Sequence, residues 1–519
     1  MKQINAYLEG LDYGQDIGPL IKAFFKDCDI KTINSLEAEE EKLREEAKIK
    51  RGHGQIEAPT IVGNFYFTLN DNDFRITAEV YDKKAETAED FSDRQEFTYH
   101  NSGDPDRRMY RNHLHRALYG MLSELSGRKL PWGTLTGVRP TKQVLDMRMR
   151  GSSASDIIAY YENEYLASRE KAELAIEVAE NETRLLEGLT FDDTYSLYVG
   201  VPFCPSICLY CSFSSYPYDR FKEYAEPYME AVLKELEATA DIMKNKRLIS
   251  IYFGGGTPTT LTAPQLDRLM GQLSDAFDLS CVSEYTVEAG RPDTITPEKL
   301  AVLKRRGVTR VSVNPQTMRD EVLAAIGRRH TAGDVAAAMA MVRDAGIPSV
   351  NMDLIAGLPA DTADGFRESL DRVLSFRPEN VTVHTLALKK GSRITLEGTP
   401  LPDEAAVGAM LDYAASTLSG TGFRPYYLYR QKYMSGGFEN VGWSLPGYDS
   451  LYNICIMEEL CTILSLGGGG STKLVNAAEG RIERVFNPKY PREYIEGLDK
   501  IREKKKAVAA FYGQAAGQR

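Results

Sequence analysis

Short apolar runs alternate with amphipathic stretches through the middle of the chain. The runs have the length of buried strands, and each is followed by apolar residues at helical spacing. The predicted strands are residues 197–201, 248–253, 284–288, 310–313, 349–355 and 380–386, and the helices between them are 220–243, 263–277, 297–306, 332–345 and 363–376. This alternation predicts a parallel sheet with crossover helices, either a partial barrel or an open doubly wound sheet. In both, ligands bind at the carboxyl ends of the strands.

The regions on either side of this core have a different pattern of predicted strands and helices. Before the core, residues 60–69 and 75–81 predict strands, residues 105–128 and 155–186 predict helices, and the charged run 37–50 is a solvated helix or a linker. After it, residues 402–420 and 491–511 predict helices around a tyrosine-rich stretch, 426–443. We therefore expect an α/β protein of three domains: an α+β domain (1–190), the core (191–395) and a small mixed C-terminal region (396–519).

Composition narrows the class of protein. The 519 residues carry 63 basic and 74 acidic side chains, a net charge of -11. This balance argues against nucleic-acid binding by broad phosphate neutralisation. No apolar run approaches a membrane span, and the first residues lack a signal-peptide core, so we expect a cytoplasmic protein. Seven cysteines are too few for a disulfide scaffold.

Three of these cysteines fall within eight positions, directly after the first predicted core strand. They are Cys204, Cys208 and Cys211. A closed structural zinc site wants four ligands, and the nearest histidines, His100 and His330, are distant in sequence. An iron-sulfur cluster held by three thiolates leaves one iron open for an exchangeable ligand. The spacing favours the cluster over zinc.

A glycine run follows the second core strand. Gly254, Gly255 and Gly256 precede Thr257 and Pro258. Glycines at this position let the backbone approach a ligand closely and direct N–H groups at an anion, although a tight turn alone would also explain them. Its place beside the cysteine loop favours a ligand site.

Together these motifs resemble the radical S-adenosylmethionine (SAM) superfamily, with its C-x3-C-x2-C motif. The resemblance implies a partial (β/α)6 barrel, a 4Fe-4S cluster on the three cysteines, and SAM bound to the open iron. Reduction of such a cluster cleaves SAM to a 5′-deoxyadenosyl radical, and the electron comes from a donor such as flavodoxin or ferredoxin.

The surrounding residues narrow the resemblance. The segments YVGVPFCPSICLYCSF, GGGTPT, AIGRRHT and DLIAGLP are similar to the oxygen-independent coproporphyrinogen III oxidases. The flanks LPWGTLTGVRPTK and YYLYRQKYMSGGFENVGW look like the longer HemZ branch, the coproporphyrinogen dehydrogenase-like proteins. The implied reaction is the oxidative decarboxylation of two propionates of coproporphyrinogen III to vinyl groups, giving protoporphyrinogen IX.

The resemblance also implies roles for individual positions. The catalytic set is Tyr198 with the three cluster cysteines, Cys204, Cys208 and Cys211. The positions that match SAM contacts are Tyr198, Gly254, Gly255, Gly256, Thr257 and Glu288. The positions that match contacts to a second SAM are Gln316, Arg328 and Asp353, with Tyr210 and Ala387 near it. One or two SAM molecules are therefore expected.

One departure bears on the activity. The oxidases carry a fourth cysteine two positions after the third, where this chain has Phe213, as the related haem chaperones do. A haem chaperone is the main alternative, and a radical SAM enzyme acting on haem by methyl transfer or ring opening is a third. Candidate contacts to a tetrapyrrole are Arg139, Lys142, Arg424, Arg430, Lys432, Tyr426, Tyr427 and Tyr429, though domain packing explains each equally well.

Overall fold

The structure is a computed structural model. It describes residues 3–10, 14–25, 28–34, 61–69, 73–82, 93–100, 107–135, 139–191, 193–211, 213, 215–388, 392–431 and 434–516. The charged run 37–50 and the candidate Lys432 lie outside these residues. The chain divides into two compact units: Met1–Val138 with Asp146–Ile176 and Gln431–Phe438, and Arg139–Leu145 with Glu177–Arg430 and Glu439–Arg519. The boundaries of the three predicted domains stay a prediction.

The first unit contains a five-stranded sheet in the order β2-β1-β3-β4-β5. The strands are β1 (Gln3–Gly10), β2 (Asp29–Asn34), β3 (Ile61–Leu69), β4 (Asp73–Asp82) and β5 (Asp93–His100). In β3, Phe65, Phe67 and Leu69 are buried while Tyr66 between them is exposed, which is the alternation of a sheet with one covered face. Helices α1 (Gly14–Phe24) and α2 (Arg107–Ser126) contribute to the same apolar core.

The second unit contains an eleven-stranded sheet. Its strands are β6 (Thr194–Val201), β9 (Arg247–Gly255), β10 (Glu284–Glu288), β11 (Arg310–Ser312), β12 (Ser349–Ala356), β13 (Asn380–Thr385), β14 (Arg424–Tyr429), β15 (Asn440–Ser444), β16 (Thr462–Leu466), β17 (Ser471–Asn476) and β18 (Arg481–Phe486), while β7 (Phe203–Cys204) and β8 (Tyr216–Pro217) pair separately. The six predicted core strands are confirmed: β6 and β9–β13 lie side by side in chain order, all parallel. This is the arrangement of a partial (β/α)6 barrel, and the α/β fold class is confirmed.

Helices connect the parallel strands as predicted. The remaining α-helices among the described residues are α3 (Thr141–Met149), α4 (Ala154–Glu164), α5 (Arg169–Leu186), α6 (Tyr218–Phe221), α7 (Ala225–Met243), α8 (Ala263–Ala276), α9 (Pro297–Arg305), α10 (Asp320–Ala325), α11 (Ala332–Asp344), α12 (Ala363–Ser375), α13 (Arg393–Glu397), α14 (Glu404–Gly420), α15 (Leu451–Glu458), α16 (Pro491–Glu496) and α17 (Leu498–Ala516). Four crossover helices begin after a threonine whose side chain accepts a backbone N–H of the first turn, at Thr262, Thr296, Thr331 and Thr362.

The prediction of one helix over residues 155–186 was wrong. The structure ends α4 at Glu164 and begins α5 at Arg169. Leu166 between them has a φ of 54°, which a right-handed helix does not allow, and its side chain packs against the apolar core of the first unit.

Among the described residues, no helix is long and apolar enough to cross a membrane.

Candidate active site

The cysteine loop leaves the carboxyl end of β6 and is held by backbone hydrogen bonds. Cys204 lies in the two-residue strand β7 and pairs with Pro217 of β8. Further along, Cys211 N donates to Cys208 O (3.0 Å), and Leu209 N donates to Ile326 O (2.9 Å). Cys204 and Cys208 are buried and Cys211 is half-buried, so the loop presents three thiols from a fixed backbone.

Two of the three cysteine sulfurs lie beside a hydroxyl group. The Cys204 Sγ lies 3.4 Å from Thr257 Oγ1, and the Cys211 Sγ lies 3.8 Å from Ser215 Oγ. Burial raises the pKa of the Cys204 thiol to about 11, although the Thr257 hydroxyl opposes the shift. A cluster would bind the thiolates, so its assembly releases protons.

The donor set suits an iron-sulfur cluster. Three thiols lie on one loop, all outside any disulfide, with hydroxyl groups beside two of the sulfurs. In the part of the chain that the structure describes, no group of three His, Cys, Asp or Glu side chains has the arrangement that would hold a single metal ion.

The glycine run ends β9 and leaves no space for side chains. A Cβ on Gly256 would lie 2.6 Å from Phe203 O and 2.9 Å from Val201 O. A Cβ on Gly254 would lie 2.9 Å from the Tyr252 ring and 3.2 Å from Glu288 Oε1. Gly255 has a φ of 106°, a conformation that glycine adopts without strain. The run therefore forms a close-fitting cradle of backbone.

Aromatic rings and an acid form one wall beside this cradle. Tyr198 and Tyr252 stack with ring centroids 6.3 Å apart, and Tyr252 stacks on Tyr452 at 4.4 Å. The Tyr252 hydroxyl donates to Glu288 Oε1 (2.7 Å). Burial raises the pKa of Glu288 to about 7, so both protonation states are present near neutral pH. The structure thus brings Tyr198, the glycine run and Glu288 together.

A second polar group lies on β12 and β13. Asp353 Oδ1 accepts Asn351 Nδ2 (2.7 Å), and Asp353 Oδ2 lies 3.5 Å from His384 Nε2. His384 Nδ1 lies 3.4 Å from the Tyr429 hydroxyl. His384, on β13, therefore lies between a carboxylate and a phenol.

Gln316 and Arg328 carry buried polar atoms that have no hydrogen-bond partner among the described residues. Gln316 has a φ of 69° and exchanges backbone hydrogen bonds with Asp353 and Ile355 on β12. Its side-chain Oε1 accepts no hydrogen bond from the described residues. Arg328 Nη2 donates to the Tyr210 hydroxyl (3.0 Å), whereas Arg328 Nε donates to no acceptor among the described residues. Buried groups of this kind are usually satisfied by a ligand or water, so both residues fit a polar ligand.

Tyr210 and Ala387 lie in one neighbourhood. Tyr210 packs against an apolar cluster that includes Leu209 of the cysteine loop and Leu386, and Leu388 packs against the same cluster, so the residues on either side of Ala387 are both at it. The family resemblance implies that both lie near a second SAM, and the Tyr210 hydroxyl accepts a hydrogen bond from Arg328 Nη2.

Most tetrapyrrole candidates have partners within the protein. Arg139 forms an ion pair with Glu459 (2.7 Å) and donates to Met457 O (2.9 Å). Tyr426 and Tyr427 are buried in an apolar cluster with Ile454. Lys142 and Arg424 are exposed, Arg430 and Tyr429 are half-buried, and Tyr429 adjoins His384.

The sequence analysis missed two residues of this region. Tyr252 holds Glu288, and Arg291 reaches Cys208 Sγ with its Nη1 (3.9 Å). Tyr252 lies two positions before the glycine run, a spacing that points its side chain to the same face of β9 as Gly254. Nothing in the sequence indicates that Arg291 is buried.

Comparison with known proteins agrees with this geometry. Residues 198–373 match the sequence profile of the radical SAM superfamily. The chain is 37% identical to the oxygen-independent coproporphyrinogen-III oxidase-like protein HemZ of Bacillus subtilis, over 76% of this chain and 80% of that protein. It is 30% identical to the heme chaperone HemW of Lactococcus lactis, over 50% of this chain and 64% of that protein.

A solved structure extends the comparison to the fold. Coproporphyrinogen III oxidase (HemN) from Escherichia coli matches with a TM-score of 0.50 and 22% identity, over 60% of this chain and 70% of that one. The fold and the cysteine loop thus define a protein with a radical SAM domain, a class that implies a 4Fe-4S cluster and SAM. Within that class, the chain belongs to the HemZ family of coproporphyrinogen oxidase-like proteins.

Proposed function

We propose that this protein is a radical SAM enzyme that decarboxylates two propionates of coproporphyrinogen III to vinyl groups. The observation that carries the proposal is the convergence of the cysteine loop, the glycine cradle and Glu288 at the carboxyl ends of β6, β9 and β10. In parallel α/β folds, that edge is where ligands and reacting groups meet.

Cys204, Cys208 and Cys211 would hold the cluster. With SAM bound and an electron from a donor such as flavodoxin or ferredoxin, the cluster and SAM together would supply a 5′-deoxyadenosyl radical. The cradle Gly254–Gly256 with Thr257 would hold the amino end of SAM, because only bare backbone fits there. Glu288 and Tyr198 would line the same molecule, with Glu288 accepting a hydrogen bond.

A second SAM is also part of the proposal. Gln316 Oε1 and Arg328 Nε are buried without a hydrogen-bond partner in the described residues, and a bound ligand would satisfy them. Gln316 N donates to the backbone oxygen of Asp353, and Arg328 Nη2 donates to the Tyr210 hydroxyl, so the four residues form two contacting pairs. Ala387, two positions after the end of β13, would lie near the same molecule.

The reaction balances with one hydrogen atom and one electron removed from each propionate. Loss of a hydrogen atom from the β-carbon leaves a carbon radical. The bond to the carboxylate then breaks, carbon dioxide leaves, one electron passes to an acceptor, and a vinyl group remains.

The test is anaerobic turnover after cluster reconstitution, with SAM, a strong reductant and coproporphyrinogen III. We expect 5′-deoxyadenosine together with a tetrapyrrole that has lost two carboxyl groups, both followed by mass spectrometry. A matched control is Cys281→Ser, because Cys281 is an exposed cysteine outside the loop, and it should leave turnover unchanged, whereas Cys208→Ser should abolish it. Deoxyadenosine without change in the tetrapyrrole would contradict the assignment of coproporphyrinogen III as the substrate.

A haem chaperone is the second candidate, and Phe213 favours it. This side chain stands where the oxidases have a fourth cysteine, and it is 71% exposed. A relative named heme chaperone HemW matches half of the chain. Haem titration separates the two functions, since a chaperone binds haem tightly without consuming coproporphyrinogen. SAM consumption only when haem is present would instead indicate an enzyme that acts on haem.

A further inference from the structure

Two buried guanidinium groups approach the middle cysteine of the loop. Arg291 is 3% exposed and Arg328 is 8% exposed. They come from different parts of the sheet, Arg291 from the segment after β10 and Arg328 from the segment after α10. A buried arginine needs several acceptors, so the contacts of each show what it serves.

Arg291 connects the cysteine loop to a carboxylate. Its Nη1 donates to Ser206 O (3.2 Å), to Ser206 Oγ (3.1 Å) and to Cys208 Sγ (3.9 Å). Its Nε and Nη2 donate to the two oxygens of Asp293, at 3.2 and 3.3 Å. The planar group therefore lies between the Cys208 sulfur and the carboxylate, so its positive charge is closer to the sulfur than the negative charge of Asp293 is.

Arg328 supports the same segment from another direction. Its Nη1 donates to the carbonyl oxygens of Gly290 (3.2 Å) and Asn314, and Gly290 directly precedes Arg291. Ser206 Oγ also donates a hydrogen bond to Gly327 O (3.2 Å), the residue before Arg328. The Arg291 segment is therefore fixed relative to the cysteine loop.

We propose that Arg291 is a positioning residue that fixes Cys208 and raises the reduction potential of the cluster, with Asp293 opposing it. The inference rests on the proposed role of Cys208 as a cluster ligand. Hydrogen bonds and positive charge at a ligand sulfur stabilise the reduced state, which carries one more negative charge. Burial strengthens the effect because little water screens the charge.

The test is a redox titration of the reconstituted cluster, followed by electron paramagnetic resonance. Arg291→Gln should reduce the equilibrium constant for one-electron reduction about tenfold, which is about 59 mV toward lower potential. Asp293→Asn should shift the potential in the opposite direction, because it removes the opposing negative charge and leaves Arg291 in place. Arg291→Lys keeps the charge and should stay nearer the wild type.

A matched control is Arg343→Gln. Arg343 also forms an ion pair with a carboxylate, that of Glu379, but Glu379 accepts from Val350 N near the amino end of β12. It should leave the potential unchanged.

The outcomes separate this inference from the proposed function. A wild-type protein that forms no reducible cluster would overturn both. A reducible cluster whose potential is the same in Arg291→Gln and Asp293→Asn, or moves the same way in both, would overturn the inference alone. If Arg291→Gln fails to hold a cluster, the upward shift in Asp293→Asn decides, and its absence overturns the inference.

Discussion

Buried acids near the carboxyl ends of the core strands depend on their neighbours for their charge. Glu288 accepts the Tyr252 hydroxyl inside a wall of tyrosine rings, and burial brings its pKa to about 7. Its carboxylate form, the one that would accept hydrogen bonds from SAM under the proposed function, therefore predominates only above neutral pH.

The titration of Glu288 should make SAM binding depend on pH. SAM affinity of the wild type should rise about tenfold between pH 6 and pH 8, as the deprotonated fraction of Glu288 grows. In Glu288→Gln the affinity should be lower at pH 8 and change little with pH. Equilibrium dialysis of SAM with the reconstituted protein measures both, and equal pH dependence in the two proteins would contradict the role of Glu288.

A second buried acid predicts a pH-dependent stability. Glu182 on α5 is 1% exposed, and its two oxygens have no hydrogen-bond partner among the described residues. Burial, with the nearby Glu458 carboxylate, raises the pKa of Glu182 well above its ordinary value, although Arg139 opposes the shift. Above the ordinary value of 4.5, the unfolded chain releases this proton while the folded chain keeps it, so stability falls as the pH rises.

Glu182→Gln removes this titration. Relative to the wild type, the variant should gain stability as the pH rises from 5 to 8, measured as the midpoint of urea unfolding. The comparison uses the change with pH within each protein, since the amide also alters packing. Parallel pH profiles in the two proteins would show that Glu182 is ionised in the folded state.

The glycine run carries a prediction about a whole element, the carboxyl end of strand β9. Gly254→Ala would place a Cβ 2.9 Å from the Tyr252 ring and 3.2 Å from Glu288 Oε1, so the wall beside the cradle must shift. We expect SAM affinity to fall at least about tenfold, with the cluster retained. Gly420→Ala, at the end of α14 with no atom within 4 Å, is the control and should bind SAM normally. Equal affinity in the two variants would contradict the cradle.

The core elements were predictable because each is defined locally. A buried parallel strand is a short apolar run, and helix starts after β9–β12 carry threonine caps, so the sequence pattern alone locates them. Strand β1 was not predicted, nor were β16, β17 and β18. The pairing of β16 with β6 joins residues more than 260 positions apart, and no local pattern shows such a partner.

The site was predictable only where a spacing repeats a known motif. The three cysteines and the glycines are such motifs, and the structure brings them together through Thr257. The contact between Arg291 and Cys208 depends on the fold, because their elements are separated by 83 positions along the chain. Charged side chains are usually exposed, so sequence reasoning assigned Arg291 no role.

At the scale of the whole chain, the last helix is tied to the core by a buried ion pair. Glu235 on α7 is fully buried, and it accepts hydrogen bonds from Gly467 N (2.8 Å), Asn487 Nδ2 (2.8 Å) and the Tyr494 hydroxyl (2.5 Å). Lys505 on α17 lies 3.3 Å from it and is 1% exposed. The network joins α7, the loop after β16 and both C-terminal helices.

Breaking this pair should destabilise the protein. Lys505→Met leaves Glu235 as an unpaired buried charge, which costs about 3–5 kcal/mol. The double variant with Glu235→Gln should recover part of that loss, because the remaining amide is neutral. Urea unfolding measures both, and a stability of Lys505→Met equal to that of the wild type would contradict the network. The exposed pair Arg492 and Glu496 is a control that should contribute little.

The central claim is that this protein removes a hydrogen atom from a propionate β-carbon of coproporphyrinogen III. The most direct measurement uses coproporphyrinogen III that carries deuterium at those carbons, with the reconstituted enzyme, SAM and a strong reductant under anaerobic conditions. The account predicts deuterium in the 5′-deoxyadenosine and loss of carbon dioxide from the same tetrapyrrole. Deoxyadenosine without deuterium, beside an unchanged tetrapyrrole, would contradict it.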